Sequence, residues 1–480
     1  MASNQKKNNS GLPSGGLRQE CLPFRDILAQ SIANIAPTLT ATLNAPLVFA
    51  SAGRGTWLTF VFATVGLVLV SLNINQFASR SASPGSLYAY IAKGLGSTAG
   101  VLTGWALVLA YLFTAMANLC GFANYGNVLL TLVGLQPATI FLCAICGGIA
   151  WYIAYRDIRL STVVMLAIEA ASVGLILILG LLVLGKLNFE IDTSQLTLQG
   201  TSPEGIRLGL VLAVFSYVGF ESATALGDEA KNPLRSIPRA VIISTVVSGL
   251  FFILISYIEV LAFEGYQTPL NKTEAPVNVL ANIAGVGFLG IFISIGSTIS
   301  SFACSLASIN AGARILYSMA RHGLFHASMG QAHGRNETPH IAVTMCALLV
   351  FLVAASVSMF GVKPFDAYGY LGTIATYGFV LAYILISIAA PVYLHRQGNL
   401  RLGHIVVAVL AVLFMMIPVV GSVYPVPSAP FNVFPYLFLM YLVVGGVWFL
   451  MLRLHSPEII EQMEAEIEAI HTKFSDMKKI

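Results

Sequence analysis

The sequence predicts an all-α polytopic membrane protein with twelve transmembrane helices and both termini in the cytoplasm. Three observations lead there. Of 480 residues, 57% are hydrophobic and only 10% are charged, against about 25% charged in a typical soluble domain. Twelve apolar stretches reach spanning length. Only five of the 25 Lys and Arg residues (Arg54, Lys186, Arg207, Lys272 and Lys363) fall outside when the N-terminus is placed inside, and the other 20 fall on the cytoplasmic side.

The stretches run 25–50, 56–77, 87–117, 137–154, 161–185, 204–226, 238–262, 284–317, 340–360, 367–394, 403–422 and 432–453. Each must be a helix, because lipid cannot satisfy an open backbone. Around them lie a cytoplasmic tail at 1–24, a long extracytoplasmic loop at 186–203 and a second tail at 456–480. Residues 1–23 are polar, so no secretory leader is expected.

Several function classes are excluded. No basic cluster interleaved with aromatics suggests nucleic-acid binding, and there is no nucleotide-binding loop. No lysine, arginine or histidine sits at the centre of a span, and no catalytic constellation or metal-ligand cluster is visible. No cofactor is implied. Cys143 and Cys146 form a C-x-x-C in "IFLCAICGGIA". With no histidine nearby, they read as small apolar packing residues.

Two stretches are abnormal. The first, "DILAQSIANIAPTLTATLNAPLVFASAG", carries Pro37 and Pro46 among asparagines and threonines. Proline removes a backbone donor and clashes with the preceding turn. The sixth, "LVLAVFSYVGFESATALGDEAKNPLRSIPRA", carries Ser216, Gly219 and Glu221 at lipid depth. Paired interruptions five spans apart point to an inverted-repeat transporter with its site at the midplane.

Three segments resemble one family. "FSYVGFESATALGDEAKNPLRSIPRAV" resembles the sixth-helix signature of the amino acid–polyamine–organocation transporters. "SINAGARILYSMARHGLF" resembles the end of that family's eighth helix, and "ASPGSLYAYIAKGLG" its approach to helix three. The resemblance covers about residues 25–395. It implies the leucine-transporter fold, with one five-helix repeat at 25–185, a second at 204–395 and two further helices at 396–455. It also implies a secondary carrier for amino acids in the plasma membrane. A polyamine or amine permease, or a receptor that keeps the carrier fold, are the alternatives. The family's first helix unwinds at a Gly-Ser-Gly-like triplet; here Leu39, Thr40 and Ala41 take its place.

A zwitterion in a nearly dry cavity needs both charges met. Unwinding around Pro37–Ala41 would offer the free N–H groups of that stretch to a carboxylate, so Ala36, Pro37, Thr38, Thr40 and Ala41 are the expected substrate-binding residues. Carbonyls at Ser216, Tyr217 and Gly219 would suit an ammonium, and Gly219 lets the backbone approach closely. Phe215 matches the family's aromatic gate. Glu221 is either a gating or proton-carrying carboxylate or a tie from helix six to helix one. Ser294, Ser297, Ser301, Ser305 and Ser308 form one helical stripe. The stripe either packs closely or, through Ser301 and Ser305, supplies hydroxyls to sodium. Glu169, in "LSTVVMLAIEAASVGLILI", stands where proton-coupled and cationic amino acid members carry a lysine. It either couples transport to a proton, in preference to sodium, or joins the bundle. With Glu221 it would also serve the two charges of a diamine. Asn118 and Asn124 are expected to make hydrogen bonds within the bundle. In the tail, Ser456 and Pro457 open an amphipathic helix rich in glutamate on one side. Anionic lipid would repel it, so docking on the protein's own cytoplasmic side is expected.

Overall fold

The computed structural model describes residues 21–82, 85–156, 159–227, 229–334 and 336–465, and for 159–165 the backbone alone. Most of the first tail and the last part of the second lie outside these residues.

Among the described residues, eleven apolar helical runs are long enough to cross a membrane. The first of them, Phe24–Ala78, turns back through Gly53–Gly55 and so holds two spans, making twelve. Spans 2 to 5 are Thr56–Ala78, Ser97–Thr131, Thr139–Arg156 and Arg159–Lys186. Spans 7 to 12 are Pro233–Ala262, Gly287–Arg321, His340–Met359, Pro364–Arg396, Leu402–Gly421 and Phe434–His455. The stretch expected at 87–117 is in fact two helices. A short one, Ser86–Leu95, ends at Gly96, whose φ of 95° turns the chain into span 3.

Span 3 is the central post, packed against spans 8 and 10. Small residues bring it close to span 10: a Cβ on Gly378 would stand 2.5 Å from the Ala106 carbonyl oxygen. The interior is rich in buried Ser, Thr and Asn, while spans 11 and 12 present Leu, Val and Met outward. That is the inside-out pattern of a protein whose solvent is hydrocarbon. The first and last described segments reach one face. Leu22 pairs with Ala230, and Met463 lies within 3.1 Å of the Tyr88 hydroxyl. We call it the terminal face.

Candidate functional site

Span 1 breaks one residue before the expected stretch Pro37–Ala41. Its first helix, Phe24–Ile35, stops at Ala36, which takes φ 50° and ψ 64°. Proline disfavours the right-handed helical region for the residue before it, and Pro37 then starts a new helix with its preset φ. Pro37–Leu39 form one turn, and Thr40–Asn44 follow as a wide i→i+5 turn, with the Ala45 N–H donating to the Thr40 carbonyl. The residues from Pro37 to Ala41 are therefore helical, and the opening is confined to Ala36.

Span 6 breaks where expected. Its helix Pro203–Phe215 tightens through Tyr217 and Val218, whose N–H groups donate to Val214 and Phe215. Gly219 then takes φ 87°, and a 3-10 helix runs Phe220–Leu226. The carbonyls of Tyr217 and Gly219 accept from Phe220 and Ser222. Those of Ser216 and Val218 accept no hydrogen bond from the described residues. A Cβ on Gly219 would stand 2.6 Å from the Asn34 side chain. The missing side chain thus lets the two breaks touch each other. Asn34 is held from span 8: its Oδ1 accepts from the Ser308 hydroxyl at 2.6 Å, and its carbonyl from the Cys304 thiol.

The two expected carboxylates are both fully buried and both partnered. Glu169 Oε1 accepts the Thr38 N–H at 2.7 Å, capping the second half of span 1 from span 5. This takes an N–H expected for the substrate, and Leu39 spends its own on the Ala36 carbonyl. From span 8, Ser300 faces Glu169; Ser301 turns to Gly121 of span 3 instead. Ser305 donates a long bond, 3.4 Å, to the Ala115 carbonyl. Glu221 does not tie span 6 to span 1. Its oxygens accept from Tyr111 of span 3 and Tyr383 of span 10, both at 2.7 Å. The ties to span 1 are Ser31 to the Phe220 carbonyl, 2.8 Å, and Ser222 to the Gln30 carbonyl, 3.3 Å.

Phe215 is buried edge-on against Tyr368, with ring centroids 5.6 Å apart, and fills the space left by the missing side chain of Gly372. Beyond it, away from the terminal face, lies a cavity of about 310 Å³ lined by Leu47, Ser51, Leu212, Asp366, Gly369 and Thr373. The Tyr217 side chain lies elsewhere: it meets the Thr64 hydroxyl of span 2 at 2.6 Å and packs on Phe252. Only its backbone belongs to the break. Thr38 and Thr40 are buried with hydroxyls that find no partner among the described residues. Asn118 donates within its own helix, to Thr114, and Asn124 to the Glu274 carbonyl.

Sequence reasoning missed the closure of the terminal face. Arg314 of span 8 makes a two-pronged ion pair with Glu229, at 2.9 and 3.0 Å, with both side chains about 96–97% covered. The backbone of Glu229 also accepts from Cys21 and Leu22. Nearby, the Tyr88 hydroxyl meets His322 Nδ1 at 2.7 Å and Met463 of the tail helix. A third span carboxylate, Glu259, was also missed, although it stands in the apolar run "SYIEVLAF" as plainly as Glu169 does in its own.

Twelve spans around two touching breaks, with a buried lock on one face and an aromatic plug on the other, define a membrane permease. The chain belongs to the Amino acid permease family, which it matches over residues 26–461. It is similar to the branched-chain amino acid permease BcaP of Bacillus subtilis, with 25% identity over 85% of this chain and 87% of that protein. It is 28% identical to the low-affinity putrescine importer PlaP of Escherichia coli K12, over 61% of this chain and 65% of that one. It is 24% identical to the mouse cationic amino acid transporter 4, over 77% of this chain and 60% of that one.

Proposed function

We infer that the chain is a secondary carrier of the plasma membrane. It moves an amino acid or a related amine by alternating access between two inverted five-helix repeats, 25–185 and 204–395. The observation that carries this reading is the contact of the two breaks at Asn34 and Gly219. The substrate ammonium belongs at the Ser216 and Val218 carbonyls, and Phe215 closes over it from the cavity side. The terminal face is the cytoplasmic one. Glu169 is the coupling group, because its carboxylate holds the Thr38 N–H at the break. A change in its charge acts directly on the broken helix. A proton is preferred to sodium: the hydroxyl expected for sodium, Ser301, lies against Gly121, and Ser300 faces Glu169 instead.

An amine permease is the second reading, and one observation favours it. The N–H groups at the break of span 1 are already taken. A substrate without a carboxylate asks nothing of them.

The test is counterflow of labelled leucine, lysine and putrescine by the protein in proteoliposomes, with wild type and Glu169→Gln. The amide keeps an oxygen for Thr38 and removes the charge. It is expected to abolish the pH dependence of uptake and spare substrate binding. Gradient-driven accumulation by Glu169→Gln with wild-type ion dependence would remove Glu169 from coupling. Absence of counterflow by the wild type, with binding intact, would make the protein a sensor.

A further inference from the structure

Glu169, Glu221 and Glu259 are buried deep in their spans, and the first two have ready partners. The third does not. Glu259, in the last turns of span 7, is 0% exposed, and neither Oε1 nor Oε2 has a hydrogen-bond partner among the described residues. Buried polar groups are nearly always satisfied, and an ionised carboxylate at lipid depth is costly unless something positive faces it. Span 7 packs on the wide turn Thr40–Asn44 of span 1. Tyr125 lies within electrostatic reach of Glu259, and its hydroxyl already donates to the Thr42 carbonyl at 2.8 Å. In that same turn the Thr40 hydroxyl is buried and unpartnered.

The missing element is a group that brings both positive charge and several donors. A primary ammonium is such a group, with three N–H donors and no acceptor. We propose that Glu259 is the anionic end of a second substrate subsite, one that takes the distal ammonium of a diamine or a basic amino acid. Thr40 lies four residues past Ala36, roughly 6 Å along the helix axis. A short aliphatic chain held at the breaks by one ammonium reaches that level with its other end. The inference rests on the carrier reading and narrows its substrate class to amines with two cationic ends.

The experiment measures thermal-shift affinities of the purified full chain for leucine, ornithine, lysine, putrescine and cadaverine. Wild type, Glu259→Gln and Glu259→Asp are compared, in sodium and in choline buffers. The wild type is expected to bind the basic ligands, and Glu259→Gln to lose at least tenfold in their affinity with leucine binding unchanged. Glu259→Asp withdraws the carboxylate by one methylene. It is therefore expected to shift preference from ornithine to lysine and from putrescine to cadaverine. Loss of charge at a distance, or a merely structural defect, would not change the preferred chain length. Should the glutamine variant fail to fold, the aspartate variant carries the test alone. Unchanged preference in that variant overturns the proposal. So does parallel loss of leucine binding, a sodium-dependent shift that vanishes in Glu259→Gln while amines bind normally, or a wild type that binds none of the four basic ligands. If the wild type carries leucine in counterflow but binds no basic ligand, the carrier reading stands and the Glu259 subsite falls. If the wild type carries nothing, the carrier reading falls.

Discussion

The two ends of the pathway are closed by different physics. At the terminal face, the closure is a buried ion pair, Arg314 with Glu229, backed by the Tyr88–His322 hydrogen bond and the tail helix. At the opposite face it is Phe215 wedged against Tyr368 and Gly372 under a cavity. The ion pairs there, Arg54 with Glu264 and Lys363 with Glu274, sit exposed, where solvent screens them and they add little. A buried charge pair is stiff because opening it exposes two unpaired charges at once. An aromatic wedge opens by a rotamer change and loses only contact area. The difference teaches which face is locked and which is ready to move in this conformation.

Removing half of the lock breaks the comparison most severely. Arg314→Ala leaves Glu229 buried and unpaired, which costs about 3–5 kcal/mol. A large fall in melting temperature of the purified protein is expected. The double variant Arg314→Met with Glu229→Leu should recover most of it, because no charge is left stranded. If the double variant melts as low as the single one, the pair is not what holds this face.

Acid tests the same face through His322. Burial, with a smaller contribution from the neighbouring Arg321, holds its pKa down from 6.5 to about 4. A depressed histidine favours the folded state only while it is neutral. Its stabilisation is thus complete above pH 6.5 and is lost progressively as pH falls towards 4, by an amount on the order of 3 kcal/mol. His322→Gln should flatten that part of the stability–pH curve. An unchanged slope between pH 6.5 and 4 in the variant would assign the acid lability to other groups.

The smallest effect is expected at the aromatic end. Phe215→Ala should leave expression intact and lower the melting temperature less than Arg314→Ala does, since no charge is left stranded. It should weaken substrate binding by about tenfold, or ~1.4 kcal/mol. A large drop in stability with unchanged affinity would make the ring a core residue and the opposite face as locked as the terminal one.

Much of this architecture was legible in the chain. Apolar length marks a span without reference to any partner, and twelve spans follow from it. Pro37 and Gly219 act on the backbone next to them, so a break in each span was legible, but the unwinding expected over Pro37–Ala41 is confined to Ala36. The short helix before span 3 was merged with it because hydropathy runs on through Gly96, while the turn there depends on a dihedral angle. Tyr217 was expected for its carbonyl, which the Phe220 N–H takes; that pairing depends on how the chain turns through Gly219.

The sequence by itself determined that carboxylates stand at lipid depth. The tertiary structure decided what each one meets. Glu169 finds Thr38 across 131 residues, and Glu221 finds Tyr111 and Tyr383 across 110 and 162. Arg314, counted from the sequence on the cytoplasmic side, becomes a buried partner only when span 8 is laid against the turn that follows the Phe220–Leu226 helix of span 6. Glu259 is set apart by having no partner among the described residues, a property that exists only once every neighbouring span is in place. Helix formation in lipid is local, because each backbone group must be satisfied within its own segment. The pairing of buried charges is not, because the groups that satisfy them come from other segments.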